Sequence, residues 1–172
     1  MIVEIAELAT PIGTIVLAAR EGRLCGLGFD RPHVERSVRR RFPSDEIGAT
    51  GEAARFLSEL RAYFRGDLAA LDAIAVDLRG TAFQERVWSE LRKIPRGRTA
   101  SYRDVAAAIG APSAVRAVGA ANGANPVAIV VPCHRVVGAD GRLTGYGGGI
   151  ERKRWLLEHE EATSKESWRL FP

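Results

Sequence analysis

The hydrophobic pattern of this 172-residue chain changes its period once, near residue 80, and that change divides it into a strand-rich first part and a mostly helical second part. Residues 2–7 alternate apolar and polar, Thr10-Pro11-Ile12-Gly13 makes a turn, and 15–19 and 24–29 read as further strands about a turn at Gly22. Residues 33–42 place Val34, Val38 and Phe42 at helical spacing, with Arg39, Arg40 and Arg41 on the wet side. A second helix is predicted over 52–64 through Phe56, Leu60 and Phe64, and 74–78 as a returning strand. Cys25, among Leu24, Leu27 and Phe29, reads as a core residue.

Beyond the change of period the helix signals are explicit. Thr81-x-x-Gln84 is a capping-box pattern ahead of Phe83, Val87 and Leu91, and Pro95 and Gly97 close that helix. Ser101-x-x-Asp104 opens a short helix ending at Gly110, and Ser113 is expected to cap the next, through Val115, Val118 and Ala121. Two short helices joined by Gly-Ala-Pro satisfy the spacing of a helix-turn-helix, and equally of a short helical hairpin. Residues 127–131 are uniformly apolar and read as a buried strand, which Pro132 ends immediately before Cys133-His134-Arg135. A turn-rich stretch over 138–149 holds six glycines and Tyr146, and 151–161 forms the last helix. The tail, 162–172, is polar apart from Trp168, Leu170 and Phe171, and either packs or frays.

Composition removes several classes of function. No apolar run approaches the ~20 residues of a membrane span, and the first residues carry Glu4 and Glu7 where a secretory signal carries positive charge. A soluble, cytoplasmic protein is expected. Two cysteines make no disulfide framework, and His33, His134 and His159 offer no close-spaced ligand set, so no metal is expected. Residues 1–80 hold 11 basic against 12 acidic side chains and 81–172 hold 14 against 9, so the halves carry −1 and +5, in keeping with a polyanion partner for the second.

Cys133 is the candidate nucleophile. A thiol attacks only as its thiolate, which needs a base or a positive charge, and His134 and Arg135 supply both types. Adjacent side chains do not face one another on a helix, so a relay between Cys133 and His134 is expected to pass through a turn or a bridging water. For a bare Cys-His pair, an inert buried cysteine beside a structural histidine is the commoner case. Glu160, four residues after Leu156 and three after Leu157, turns toward the apolar face of the last helix, where a carboxylate needs a partner such as His134. A solvated helix-end glutamate competes with that reading.

The chain resembles the O6-alkylguanine-DNA alkyltransferases. The likeness rests on Pro132-Cys133-His134-Arg135-Val136 together with Phe83-Gln84-x-x-Val87-Trp88, Ile94-Pro95-x-Gly97-x-Thr99, Ser101-Tyr102, Arg116-Ala117-Val118-Gly119, Asn125-Pro126, Gly145-Tyr146-x-Gly148-Gly149 and Lys153-x-Trp155-Leu156-Leu157, in order over residues 81–161. It is thinner over 1–80, chiefly Thr10-Pro11-Ile12-Gly13. The resemblance implies an α+β protein: a ribonuclease-H-like α/β domain over 1–79, and over 80–172 a mostly helical, winged-helix-like domain with a helix-turn-helix. It implies single, irreversible transfer of an alkyl group from O6-alkylguanine in duplex DNA to Cys133, with O4-methylthymine a second candidate substrate and no cofactor. By similarity Glu160, His134 and a water activate Cys133, Tyr102 assists the leaving guanine, and Asn125 is a hinge. Arg116 fills the stack vacated by the flipped base, with Ser113, Ala117, Ala121 and Arg135 also at the DNA. Val136, Tyr146, Gly147 and Gly148 line the base pocket. Gly147 stands where many relatives carry a side chain, which makes that loop more mobile. A monomer is expected, with cooperative assembly on DNA open, and a nucleoid association in a prokaryote.

Three other classes compete. A module that binds alkylated bases and recruits other repair proteins would keep Cys133 inert. A helix-turn-helix transcription factor would need base-reading side chains where 114–121 is small and Ala-rich. A Cys-His hydrolase would need an oxyanion hole, and no residues are assignable to one.

Overall fold

The computed structural model describes residues 1–164 and has a mixed α/β fold. The tail expected to pack or fray lies, from residue 165 on, outside the described residues. The described chain packs as two units, Met1–Arg79 with Pro126–Val130, and Gly80–Asn125 with 131–164.

In the first unit β1 (Ile2–Thr10), β2 (Gly13–Arg20) and β3 (Arg23–Gly28) form an antiparallel meander, and β4 (Glu46–Ile47) adds in parallel beside β1, giving the order β3-β2-β1-β4. Helix α1 (Arg31–Arg41) starts where Asp30 accepts the His33 N–H at 2.8 Å, and buries Val34 and Val38 against Val3, Val16, Ala18, Cys25 and Phe42. Helix α2 (Ala53–Phe64) buries Phe56, Leu60 and Tyr63. Cys25 belongs to this core, and burial pushes its thiol up to about 12, beyond use as a nucleophile at neutral pH.

Two expectations for the first unit need correction. Arg41 does not lie on the wet side, because its guanidinium turns inward to the carbonyls of Cys25 (2.6 Å) and Leu78 (3.1 Å). Residues 74–78 are extended but make no ladder. Only Val76 bridges Leu24, through Leu24 N–H to the Ala75 carbonyl and Asp77 N–H to the Leu24 carbonyl, both 2.9 Å.

The second unit is built from α3 (Ala82–Leu91), β5 (Ala100–Ser101), α4 (Tyr102–Ala108), α5 (Val115–Gly123), β6 (Val136–Val137) and α6 (Ile150–Ser164). Both capping boxes form: Thr81 with Gln84 at the start of α3, and Ser101 with Asp104 at the start of α4. Gly110, at φ 74, turns the chain after α4 at a backbone angle that glycine adopts without strain. Ser113 does not cap α5. The N-cap is Ala114, with no side-chain bond to the helix. Trp88 is buried, and its indole N–H donates to the Ala121 carbonyl at 2.8 Å, which fastens α3 to α5. No helix among the described residues is long and apolar enough to cross a membrane.

The expected strand over 127–131 is absent. All five residues are buried, but Val127 alone makes a bridge, to Leu27, and 128–130 turn tightly, with Val130 N–H on the Ala128 carbonyl at 2.8 Å and Ile129 at φ 70. A left-handed conformation at a β-branched residue costs of order 1–3 kcal/mol and persists only where the surroundings impose it. The segment Pro126–Val130 also packs with the first unit instead of the second, through Leu27 N–H to the Pro126 carbonyl and Ala128 N–H to the Leu27 carbonyl.

Candidate active site

Cys133, His134 and Arg135 form a single 3-10 turn after Pro132 and run directly into β6. That strand pairs in parallel with β5, Ala100 opposite Val136 and Ser101 opposite Val137. Ser101 is also the N-cap of α4, so a two-residue ladder sets Tyr102, the first residue of that helix, by the turn that carries the thiol.

The other wall is α6. Lys153, Leu156, Leu157 and Glu160 are all buried on it, a stripe at the spacing of one helical face. Glu160 is 1% exposed, and its carboxylate accepts hydrogen bonds from His134 and Arg135. One comes from His134 Nε2 at 2.8 Å, and two parallel ones, each 2.9 Å, from Nε and a terminal nitrogen of Arg135. The other terminal nitrogen of Arg135 donates to the Ile94 carbonyl at 2.7 Å.

Electrostatics assign the protonation states. Burial alone would raise the Glu160 carboxyl, but His134 and Arg135 against it hold it well below the usual carboxylate range. Burial lowers His134, and although Glu160 pulls the other way the imidazole stays neutral near pH 7. The carboxylate therefore fixes the tautomer, with the proton on Nε2 and a lone pair on Nδ1. Nδ1 is buried and makes no protein hydrogen bond among the described residues. Held in this orientation, a neutral imidazole keeps one basic nitrogen with an unused lone pair.

Cys133 is 6% exposed, and burial pushes its thiol up against opposing pulls from Asn125 and Lys153. Asn125 donates to the Val131 carbonyl at 2.8 Å, and Asn122 approaches the Cys133 carbonyl at 3.5 Å, so the end of α5 is tied to the turn. The Tyr102 hydroxyl is 3.0 Å from the Thr144 hydroxyl. Burial first, then the proximity of Cys133 and Glu160, raises Tyr146 well above the usual phenol value, so it remains neutral. Gly148 is buried, with its carbonyl accepting from Arg152 at 2.9 Å, while Gly147 is exposed.

The structure thus gathers Cys133, His134, Glu160 and Val136 into one buried cluster, with the half-buried Asn125 and Tyr102 beside it. On α5 it leaves Arg116 and Ala117 exposed, with Ser113 exposed just before them. Two residues expected at the DNA lie elsewhere. Arg135 is 9% exposed and spends its guanidinium on Glu160 and Ile94, so it fixes the carboxylate and presents no charge to a phosphate. Ala121 is 3% exposed and packs inside, its carbonyl taken by Trp88.

One site residue had no role assigned from sequence. Lys153 is fully buried, and its ammonium donates to the carbonyls of Val136 (2.6 Å) and Thr144 (3.2 Å). Burial lowers it to about 8, with Cys133 pulling the other way. The signal was present: Lys153 precedes Leu156 by three residues and Glu160 by seven, the same face that marks Glu160 as inward.

Comparisons with known proteins place the chain in a family. The family model of the 6-O-methylguanine DNA methyltransferase DNA binding domain matches residues 82–162. A methylated-DNA–protein-cysteine methyltransferase of Mycolicibacterium paratuberculosis is 47% identical, covering 98% of this chain and 99% of its own length. One of Salmonella typhimurium is 44% identical over 90% of this chain and 93% of its own. Among solved structures, Mycobacterium tuberculosis O6-methylguanine methyltransferase superposes with a TM-score of 0.78 at 44% identity, covering 94% of each chain. Mycobacterium tuberculosis OGT in complex with DNA gives 0.78 at 43% identity, over 95% of this chain and 94% of that one. The chain belongs to the methylated-DNA–protein-cysteine methyltransferases.

Proposed function

We propose that this chain repairs DNA by taking the alkyl group of O6-alkylguanine onto Cys133, once per molecule. The observation that carries the reading is the buried 2.8 Å bond between His134 and Glu160 next to Cys133, which leaves the histidine's free nitrogen as base for the thiol. His134 takes the thiol proton through a bridging water, and Glu160 stabilises the imidazolium that forms. The thiolate attacks the alkyl carbon, an S–C bond forms as the C–O6 bond breaks, and the electron pair remains on guanine. The leaving base finally takes up the proton that the thiol gave. Tyr102 hydrogen-bonds guanine N3, where charge develops. The thioether is stable, so the site is not regenerated.

A base inside a duplex is out of reach and must be flipped. The exposed face of α5 supports that role, with Arg116 standing among the small residues Ala117, Gly119 and Ala120, which let a helix approach the sugar-phosphate backbone closely. On this reading α4 and α5 are a helix-turn-helix in a winged-helix-like domain, entering the minor groove, and the first unit is a ribonuclease-H-like domain. Val136, Tyr146, Gly147 and Gly148 line the base pocket. The protein works as a monomer in the cytoplasm, on the nucleoid in a prokaryote, without a cofactor.

Stoichiometry tests the reading. With a large excess of duplex carrying labelled O6-methylguanine, methyl transfer stops at one per protein chain. Continued turnover would overturn it.

A further inference from the structure

Of the charged side chains at the site, Lys153 is the one the chemistry above leaves unused. A lysine is seldom fully buried without a charged partner. Its two hydrogen-bond acceptors, the carbonyls of Val136 and Thr144, are neutral and do not cancel its charge. The groups around Cys133 narrow the choice of partner. On its own turn, Arg135 is engaged in two bonds with Glu160, and the paired charges offset each other. His134 is neutral, and Tyr146, on the glycine-rich loop, is a neutral phenol. Lys153, on α6, is then a surplus positive charge in the interior, and among the described residues its charge lowers both Cys133 and His134, of which Cys133 is the one that becomes an anion. When Cys133 gives its proton to His134, the charge left on sulfur is the one that Lys153 is placed to offset.

We propose that Lys153 is a positioning residue for alkyl transfer: its ammonium, clamped on the carbonyls of Val136 and Thr144, is the counter-charge that stabilises the Cys133 thiolate as His134 takes its proton, and it ties the loop 138–149 to the start of β6. The proposal rests on the reading of Cys133 as the alkyl acceptor. Lys153 gives up no atom in the reaction. The sulfur lone pair makes the new S–C bond, the C–O6 pair stays on guanine, and the lysine offsets the charge that sulfur carries before attack. Transfer abolishes that charge, because a thioether is neutral, so alkylation must lower the proton affinity of Lys153 in turn.

The experiment follows the pH dependence of two reactions of Cys133, capture by iodoacetamide and methyl transfer from a duplex containing O6-methylguanine. Lys153→Gln keeps a hydrogen-bond donor and removes the charge. Its midpoints rise by about one pH unit, so reaction at neutral pH slows about tenfold, while DNA affinity is retained. Lys153→Arg, which restores the charge, brings the midpoints back toward wild type. Wild-type midpoints in Lys153→Gln overturn the proposal. Should the variants fail to fold, NMR titration of labelled lysine in the wild-type protein decides the matter. The midpoint of Lys153 falls once Cys133 is S-methylated, and equal midpoints in the free and methylated protein overturn the coupling. If wild-type protein acquires no methyl at Cys133 from the duplex, it is the reading of Cys133 as acceptor that falls, whatever Lys153 does.

Discussion

Arg135 closes on Glu160 with two parallel 2.9 Å hydrogen bonds, so the carboxylate that orients His134 is itself fixed before any substrate arrives. Bidentate pairing of this kind confers direction as well as energy. The residues that touch one another here come from a turn and a helix 25 positions apart, and they behave as one unit.

The first prediction concerns that unit. Glu160→Gln keeps the shape but removes the charge that stabilises the histidine once it takes the proton. Transfer to Cys133 should slow by at least about tenfold, with DNA affinity unaffected, in single-turnover assays under saturating duplex. An unchanged rate would take Glu160 out of the mechanism.

Stability should decline in acid for a reason that can be assigned. Folding lowers His134 below its ordinary value of 6.5, and lowers Glu160 below 4.5. In both cases the unfolded chain binds a proton that the folded protein refuses, so stability falls as pH falls. The His134 contribution starts to be lost below about pH 6.5 and that of Glu160 below about 4.5. Thermal unfolding followed from pH 8 to 4 checks this, and His134→Gln should flatten the upper part of the curve. The same slope above pH 5 in that variant would show that His134 is not its source.

Arg116 is exposed on α5, away from the buried cluster. If it supports base flipping, Arg116→Ala should weaken repair of duplex DNA far more than reaction with free O6-benzylguanine, which needs no flipping. A tenfold difference between the two losses is the order expected when a helper for an unstacking step of a few kcal/mol is removed. Equal losses would reject the role.

Gly80 sits against the ring of Trp88, and a Cβ at that position would lie 2.4 Å from the indole. Gly80→Ala must displace a fully packed tryptophan that also holds α5, so it should destabilise the protein by about 1–3 kcal/mol, read as a lower urea midpoint. A wild-type midpoint would mean that the ring moves aside without cost.

What was legible in advance was what local chemistry controls. The Thr81–Gln84 and Ser101–Asp104 capping boxes are complete within four residues, and both formed. Glu160 could be turned inward by helical arithmetic alone. Lys153 obeys the same arithmetic, yet a lysine on a helix is ordinarily solvated, and its acceptors, the carbonyls of Val136 and Thr144, lie off its own helix where local sequence does not show them. The apolar run 127–131 misled because an unbroken apolar stretch signals burial without specifying conformation, and nothing local marks Ile129 for a left-handed turn. Nothing local shows that Arg135 turns inward, because its partner lies far along the chain. Ala121 is ambiguous in sequence because small size serves equally for approaching a backbone and for packing near Trp88.

The most direct test of the account is intact-protein mass spectrometry after mixing with a duplex that contains a single O6-methylguanine, with Cys133→Ser in parallel. The account predicts one added methyl on the wild-type chain, mapped to Cys133, and none on the variant. No added mass on a wild-type protein that still binds the damaged duplex would contradict it, and would make this chain a sensor of alkylated bases with an inert thiol.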